Sequence, residues 1–339
     1  MRIGLNPNRD SIKLESDFFH QVVIPVYIPN QEDYFKDSFQ ILKLCLGSLF
    51  KTCHQKTYFT IVNNGSCDEV KDYFDKLFQD KMIHEIIQTS TIGKLNSILK
   101  GITGHKFQLI TITDCDVLFL NDWQFQTYHI FNNFDKAGVV SPTPSPKILK
   151  HLTYNLIGAN LFSNKLAFTK TKNPKALIKF AESIGNPNFY NNNHLEKNLT
   201  LNTKNIKAVV GSAHFVATYK GSIFDKINVK FTKFNLGGDS ENLILDKPPV
   251  DQGFWRLSTE DNYAYHLGNV VEPWMFQVFD KIKIENELII KAPIDKNLKI
   301  NKFKINIVNP IFKKIISKNI FWKWFFKYKG LNKTVAKEY

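Results

Sequence analysis

Between residues 21 and 113 the chain alternates short apolar runs with segments of helical spacing, and this alternation restricts the fold more than any other feature. The run 21–27 reads as a buried strand. From 35 to 50, Phe35, Phe39, Leu42, Leu46 and Leu49 recur at steps of three and four, the spacing of one helical face. A second strand at 58–62 closes on Asn63-Asn64-Gly65-Ser66, and Asp68 opens a helix carrying Val70, Tyr73, Phe74, Leu77 and Phe78. A shorter strand at 83–87, a helix at 93–101 ending on Gly101 and a fourth strand at 107–113 complete the series. Strands joined through helices pair in parallel, so an α/β fold with a parallel sheet is predicted. Ligands of such sheets bind beyond the carboxyl ends of the strands.

Polar clusters fall at those ends: Tyr27, Asn63-Asn64, Gly93-Lys94 and Asp114-Cys115-Asp116. Two carboxylates one residue apart repel each other unless a cation or substrate hydroxyls take them up. An isolated Asp-x-Asp reads as well as a solvated turn. Four clusters at equivalent topological positions favour a site.

Of the 339 residues, 43% are hydrophobic, enough for a substantial core, and no run of eighteen apolar residues predicts a membrane span. The first nineteen residues lack the apolar stretch of a secretory signal. Cys45, Cys53, Cys67 and Cys115 show neither Cys-x-x-Cys nor zinc spacing and read as reduced thiols, so a cytoplasmic protein is expected. The net charge of +14 is concentrated: residues 281–339 hold 15 lysines against 4 acidic side chains.

In order and spacing, the motifs of 21–120 resemble the nucleotide-sugar-binding half of family 2 glycosyltransferases with the GT-A fold. Val23-Ile24-Pro25-Val26-Tyr27 is similar to the opening strand of that family, which places Pro25 and Tyr27 near the nucleoside. Ile61-Val62-Asn63-Asn64-Gly65-Ser66 is similar to its second signature, usually written with Asp where Asn63 and Asn64 stand. Thr91-Ile92-Gly93-Lys94-Leu95-Asn96 resembles the segment whose basic residue approaches the nucleotide, and Asp114-Cys115-Asp116 falls at the DxD motif. The resemblance implies a GT-A fold, a Rossmann-like, mostly parallel sheet flanked by helices. It implies a nucleotide-sugar donor and Mn²⁺ or Mg²⁺, with Asp116 chiefly on the metal and Asp114 on the ribose. Hard cations with oxygen ligands suit a diphosphate.

The second half follows the family more loosely. A helix from 174 to 184 has Pro at its start and Gly185 at its end. The stretch 191–194 reads as a loop, and 209–216 as a strand in which His214 is a core histidine. Leu236-Gly237-Gly238-Asp239-Ser240-Glu241 resembles the segment holding the family's catalytic base, which implies Asp239 in that role and Glu241 as second choice. Asp239 reads equally as a helix N-cap. His266, in Tyr265-His266-Leu267-Gly268, matches a histidine that supplies a further metal ligand in many GT-A enzymes. The Gln-x-x-Arg-Trp motif of processive synthases is missing.

Residues 1–280 are thus expected to form the transferase domain, with 21–120 for the donor and 121–280 for acceptor and catalysis. Residues 281–339 are expected to form a helical basic-aromatic extension. Its segment 311–329 mixes Lys with Trp and Phe, a composition suited first to an anionic membrane surface, then to docking on the core. Nucleic acid is not an expected partner. The expected reaction is metal-dependent, inverting, non-processive transfer of a hexosyl or N-acetylhexosaminyl group, UDP-sugar favoured, to a glycan or lipid-linked acceptor of surface polysaccharide or glycoconjugate synthesis. A sugar-1-phosphate nucleotidyltransferase would carry a Gly-rich first loop where Pro25-Val26-Tyr27-Ile28-Pro29 stands. A non-enzymatic glycan- or nucleic-acid-binding protein is the remaining alternative.

Overall fold

The computed structural model describes residues 17–285, 291–294 and 303–339. The first half runs β1 (His20–Val26), α1 (Ser38–Thr52), β2 (Thr57–Asn63), α2 (Asp68–Gln79), β3 (Glu85–Gln88), α3 (Lys94–Ile102) and β4 (Leu109–Thr113). Then come β5 (Val117–Phe119), α4 (Trp123–Asn133), β6 (Ala137–Ser141), α5 (Tyr154–Asn160), β7 (Leu166–Lys170), α6 (Pro174–Ser183) and α7 (Asn192–Glu196). The sheet is completed by β8 (Lys197–Asn202), β9 (Lys207–Val210), β10 (Val216–Lys220) and β11 (Trp255–Thr259), with α8 (Lys247–Asp251) before β11. β12 (Ala264–His266), α9 (Pro273–Lys281), α10 (Asn309–Ile316), α11 (Asn319–Tyr328) and α12 (Val335–Glu338) follow.

One ten-stranded sheet in the order β3-β2-β1-β4-β10-β6-β11-β9-β8-β7 forms the centre. β1 to β4 pair in parallel, and β7, β9 and β10 run against the other seven strands. Seven of the ten strands thus point one way, the α/β architecture with helices flanking a central sheet that is expected from the sequence. Alternate residues of β1 sort its two faces. Val22, Ile24 and Val26 pack with Leu42, Leu46, Val70 and Phe74 of α1 and α2, whereas Val23 packs with Leu95 and Ile98 of α3. Pro25 lies beyond the last β1–β4 pair, Val23 with Ile112, where that ladder has ended and a residue without N–H is tolerated.

A buried polar layer joins the sheet to α4. The His20 ring meets the Tyr128 hydroxyl and Thr111 Oγ1, and Gln124 Nε2 donates to His20 Nδ1 (3.0 Å). His54 Nε2 completes it at 2.9 Å from Tyr128. Burial holds both imidazoles below the ordinary histidine range, His54 at about 4, so these histidines are neutral structural donors and acceptors.

Two expectations change. The stretch 209–216 is not one strand: Gly211, at φ +104°, turns the chain out of β9, and β10 begins only at Val216. His214 therefore sits on the connection, at the carboxyl end of β4. The stretch 191–194 is no plain loop, because Asn191 caps α7 and His194 returns the bond to the Asn191 N–H.

The C-terminal helices also close the core. Phe321, Trp322, Phe325 and Phe326 of α11 are buried in one apolar cluster with Leu156 and Ile157 of α5 and Leu199, Val210 and Leu257 of the sheet. Core docking, ranked second among the roles expected of 311–329, describes this face of it.

Candidate functional site

The site is built from strand register upward. β12 pairs antiparallel with β5, setting His266 opposite Val117 and so next to Asp116. The Leu267 N–H donates to the Asp116 carbonyl (2.8 Å), and the Asp114 N–H to that of Phe215 (2.8 Å), so both carboxylates leave a backbone held on both sides. They diverge. Asp114 Oδ1 meets Lys94 Nζ at 2.6 Å, while Asp116 Oδ2 faces His266 Nε2 at 3.5 Å.

The orientation of His266 follows from its other nitrogen. The Ser183 hydroxyl donates to the Phe180 carbonyl (2.8 Å), so its oxygen accepts from His266 Nδ1–H (3.0 Å). His266 Nε2 is thereby turned toward the Asp116 carboxylate. The second Asp116 oxygen, Oδ1, is buried without a hydrogen-bond partner. Burial first, and Asp114 in addition, raise the Asp116 carboxyl above its usual range against the opposing pull of His266. A ring nitrogen facing a carboxylate, one of whose oxygens is buried without a partner, fits a divalent cation. Among the described residues no group of three or more His, Cys, Asp and Glu side chains is placed to hold one. Ions that keep several ligands for water and substrate phosphate bind through one or two carboxylates in this way.

Lys94 is the first residue of α3, after Gly93 at φ +88°. Its backbone N–H donates to the Asn235 carbonyl (3.0 Å), and Asn96 holds Thr232 through two bonds, Nδ2 to its carbonyl and Oδ1 from its N–H. These contacts bring the segment 232–241 over the helix start, so that Lys94 Nζ also reaches Glu241 Oε1 at 3.4 Å. Beyond Glu241 a chain of alternating charge runs into the protein. His214 Nε2 lies 3.0 Å from Glu241 Oε2, His214 Nδ1 3.4 Å from Asp246 Oδ2, and Arg256 Nη2 2.6 Å from Asp246 Oδ1. Arg256 is 1% exposed and also donates to the Ser212 carbonyl (2.6 Å).

This pairing sets the charge states. Burial opposes the Lys94 ammonium, but Asp114, with Glu241 and Asp116 behind it, holds its pKa above the ordinary lysine range. Burial likewise opposes the His214 imidazolium, yet Asp246 and Glu241 push it up to about 9. The His214 hydrogen bond, against burial, draws Glu241 down to about 2. Burial would raise Asp246, but His151, His214 and Arg256 together hold it well below the carboxylate range.

The structure gathers Asp114, Asp116, His266, Lys94 and Glu241 at one end of the sheet. Asp239, two residues before Glu241, is exposed at φ +61°, its carboxylate accepting from Asn242 Nδ2 (3.2 Å). It caps no regular helix with its side chain. Tyr27 is exposed at the end of β1, edge-on to Phe35. Asn63 and Asn64 are buried: Asn63 Oδ1 accepts from the Ser66 N–H, its Nδ2 donates to Gln88 Oε1 (2.7 Å), and Asn64 Oδ1 accepts from the Ile92 N–H (2.7 Å). Their carboxamides thus hold the loops together. Sequence reasoning did not identify Ser183, Asp246 or Arg256 and took His214 for core. One signal was available: in a chain with 45 basic residues, Arg256 is one of three arginines, the residue type that holds a buried carboxylate through a planar fork.

A cavity of about 740 Å³ lies at the other end of β4, lined by His105, Phe107, Lys220 and Ser222 among others, away from all of these groups. No protein family model and no curated protein matches the sequence. Solved structures similar to it include the mannosyltransferase PcManGT from Pyrobaculum calidifontis in complex with GDP-Man and Mn²⁺, at 12% identity over 88% of this chain and 73% of that one (TM-score 0.43). S. aureus TarS 1-349 in complex with UDP-GlcNAc is another, at 11% identity over 93% and 74% (TM-score 0.45).

Proposed function

We propose that the protein transfers a sugar from a nucleotide-diphosphate donor, a UDP-sugar by preference, to a hydroxyl of a glycan or lipid-linked acceptor. The observation that carries this reading is His266 Nε2 facing Asp116 Oδ2 at 3.5 Å, beside the orphaned Asp116 Oδ1, at the carboxyl end of a parallel strand. Asp116 and His266, with Asp114 adjacent, would hold Mn²⁺ or Mg²⁺, which supplies positive charge for a departing diphosphate. Lys94 adds to that field once a diphosphate competes with Asp114 for its ammonium. Glu241, held ionised by His214 and Lys94, has little proton affinity and serves as a hydrogen-bond acceptor for sugar hydroxyls. The base remains Asp239, the residue that the sequence resemblance gives this role, whose carboxylate is exposed two positions before Glu241. It takes the proton of the acceptor hydroxyl as that oxygen bonds to the anomeric carbon. The bond to the diphosphate oxygen breaks on the opposite face, its electron pair leaving with the nucleotide. Inversion follows from that in-line geometry.

A panel of nucleotide sugars, followed for hydrolysis and transfer with and without Mn²⁺, tests the reading. Metal-dependent turnover with at least one donor is expected. Replacing Ser183 by Ala removes the acceptor that orients His266 and should weaken Mn²⁺ binding by about 10–100-fold, measured calorimetrically with UDP present. Turnover that ignores the metal, or Mn²⁺ affinity unchanged in Ser183→Ala, would overturn it.

A further inference from the structure

The C-terminal helices have two apolar faces, and the sheet covers one of them. On α10 and α11, Ile316, Phe321, Trp322, Phe325 and Phe326 are buried. On the outer side Ile311, Ile315, Ile320, Trp324 and Tyr328 stay exposed, Ile320 at 76%. These outer residues are continuous. Ile311 and Ile315 lie one turn apart on α10, and Ile315, Ile320 and Trp324 line one shallow depression of about 400 Å³ together with Lys314 and Lys318. Trp324 stacks on Tyr328 with centroids 5.3 Å apart, and Tyr328 meets the exposed ring of Phe162 at 6.2 Å. A connected apolar patch of this kind on a folded surface marks an interaction site.

Charge identifies the partner. Lys313, Lys314, Lys318, Lys323 and Lys327 are exposed around the patch, and residues 303–339 contain nine lysines against Glu338 alone. Two copies of the chain meeting through this face would oppose two fields of the same sign. Aromatic and branched apolar side chains ringed by lysine suit instead the headgroup level of a negatively charged bilayer, where rings enter the interface and ammonium groups stay at the phosphates. No helix among the described residues is long and apolar enough to cross a membrane, so the contact is one of surface. We propose that the outer face of α10 and α11, from Ile311 to Tyr328, docks the protein on an anionic phospholipid bilayer. The proposal does not depend on the reaction assigned to the distant carboxylate site.

The test is flotation of the full chain with vesicles of phosphatidylcholine containing phosphatidylglycerol, and with phosphatidylcholine alone. Binding to the anionic vesicles is expected, weakened by added salt, with a blue shift of tryptophan emission that Trp324→Phe removes. The double variant I320S/W324S should bind at least about tenfold more weakly while keeping the parent's melting temperature, because both side chains are exposed. The triple variant K314E/K318E/K323E should lose the preference for anionic lipid. Equal binding by parent and I320S/W324S, or none by the parent, overturns the proposal. So does a concentration-dependent dimer that I320S/W324S dissociates, or tighter binding to a single-stranded oligonucleotide than to the vesicles.

Discussion

His214 shows how a residue's surroundings decide what it can do. Read within a strand it is a satisfied core histidine. Placed by the Gly211 turn on a connection, it becomes the cation between two carboxylates that would otherwise repel each other across the site. The consequence for pH can be worked out. His214 has a folded pKa of about 9, above its ordinary 6.5, so its contribution to stability is complete below about 6.5 and is lost as pH rises through 9. Glu241 and Asp246 are shifted down, so theirs is complete above the ordinary carboxylate range, near 4, and is lost as pH falls below it. Neutral His20 and His54 add to the acid loss, since unfolding frees them to take up protons. Stability should therefore be greatest near pH 6.5 to 7, falling below about 6.5 as the unfolded histidines take up protons and declining toward 9 as His214 loses its own. Melting temperatures across that range, for the parent and for His214→Gln, check the assignment. The variant should melt lower at pH 6 and show a flatter alkaline limb. Parallel curves would mean that His214 does not carry the charge.

At the scale of elements, the local rules held for most single strands and helices, failing at 209–216 and 191–194. The burial of β1 on both faces, the amphipathic α2 and Pro174 at the start of α6 all follow from the residues themselves. The polar clusters at the strand ends were equally legible, because parallel connectivity forces those ends to one side. The pairing of β12 with β5 was not legible, since it joins segments nearly 150 residues apart in contact that no periodicity encodes. Nor could local pattern show that Asn63 and Asn64 face inward to hold loops, or that the segment 232–241 folds back onto α3. That second junction rests on Gly93. A Cβ there would stand 2.8 Å from the Asn235 Cα and 2.9 Å from its carbonyl oxygen, on a backbone already at φ +88°. Gly93→Ala is expected to cost roughly 1–3 kcal/mol, a fall of a few degrees in melting temperature. It should also loosen the contact of Glu241 with Lys94, so the fluorescence of a dye attached near residue 236 should change with it. An unchanged melting temperature would show that the loop does not press on α3 as described.

The whole molecule depends on its lysine-rich end more than the charge count suggests. A segment with so many lysines reads as an appendage, and removing 312–339 would then free the protein from lipid without unfolding it. The packing contradicts that expectation. Four aromatic side chains of α11 fill a cluster shared with β6, β8, β9 and β11, and Tyr339 of the last turn is buried there as well. The same two helices thus carry opposite duties on opposite faces, and substitutions can separate them. Phe325 is fully buried and touches Phe321, Trp322 and Phe326. Phe325→Ala should destabilise the entire chain by about 3–5 kcal/mol through lost burial and the cavity left behind. Urea unfolding would show this as a lower midpoint with an unchanged slope, because one cooperative unit loses stability without a change in the surface it exposes. Trp324→Ser, one position away on the outer face, should leave the midpoint within about 0.5 kcal/mol of the parent. If Phe325→Ala instead produced two transitions, with the carboxylate site intact through the first, the C-terminal helices would be a separate unit resting on the sheet. A single shifted transition would establish them as part of the body that holds the site.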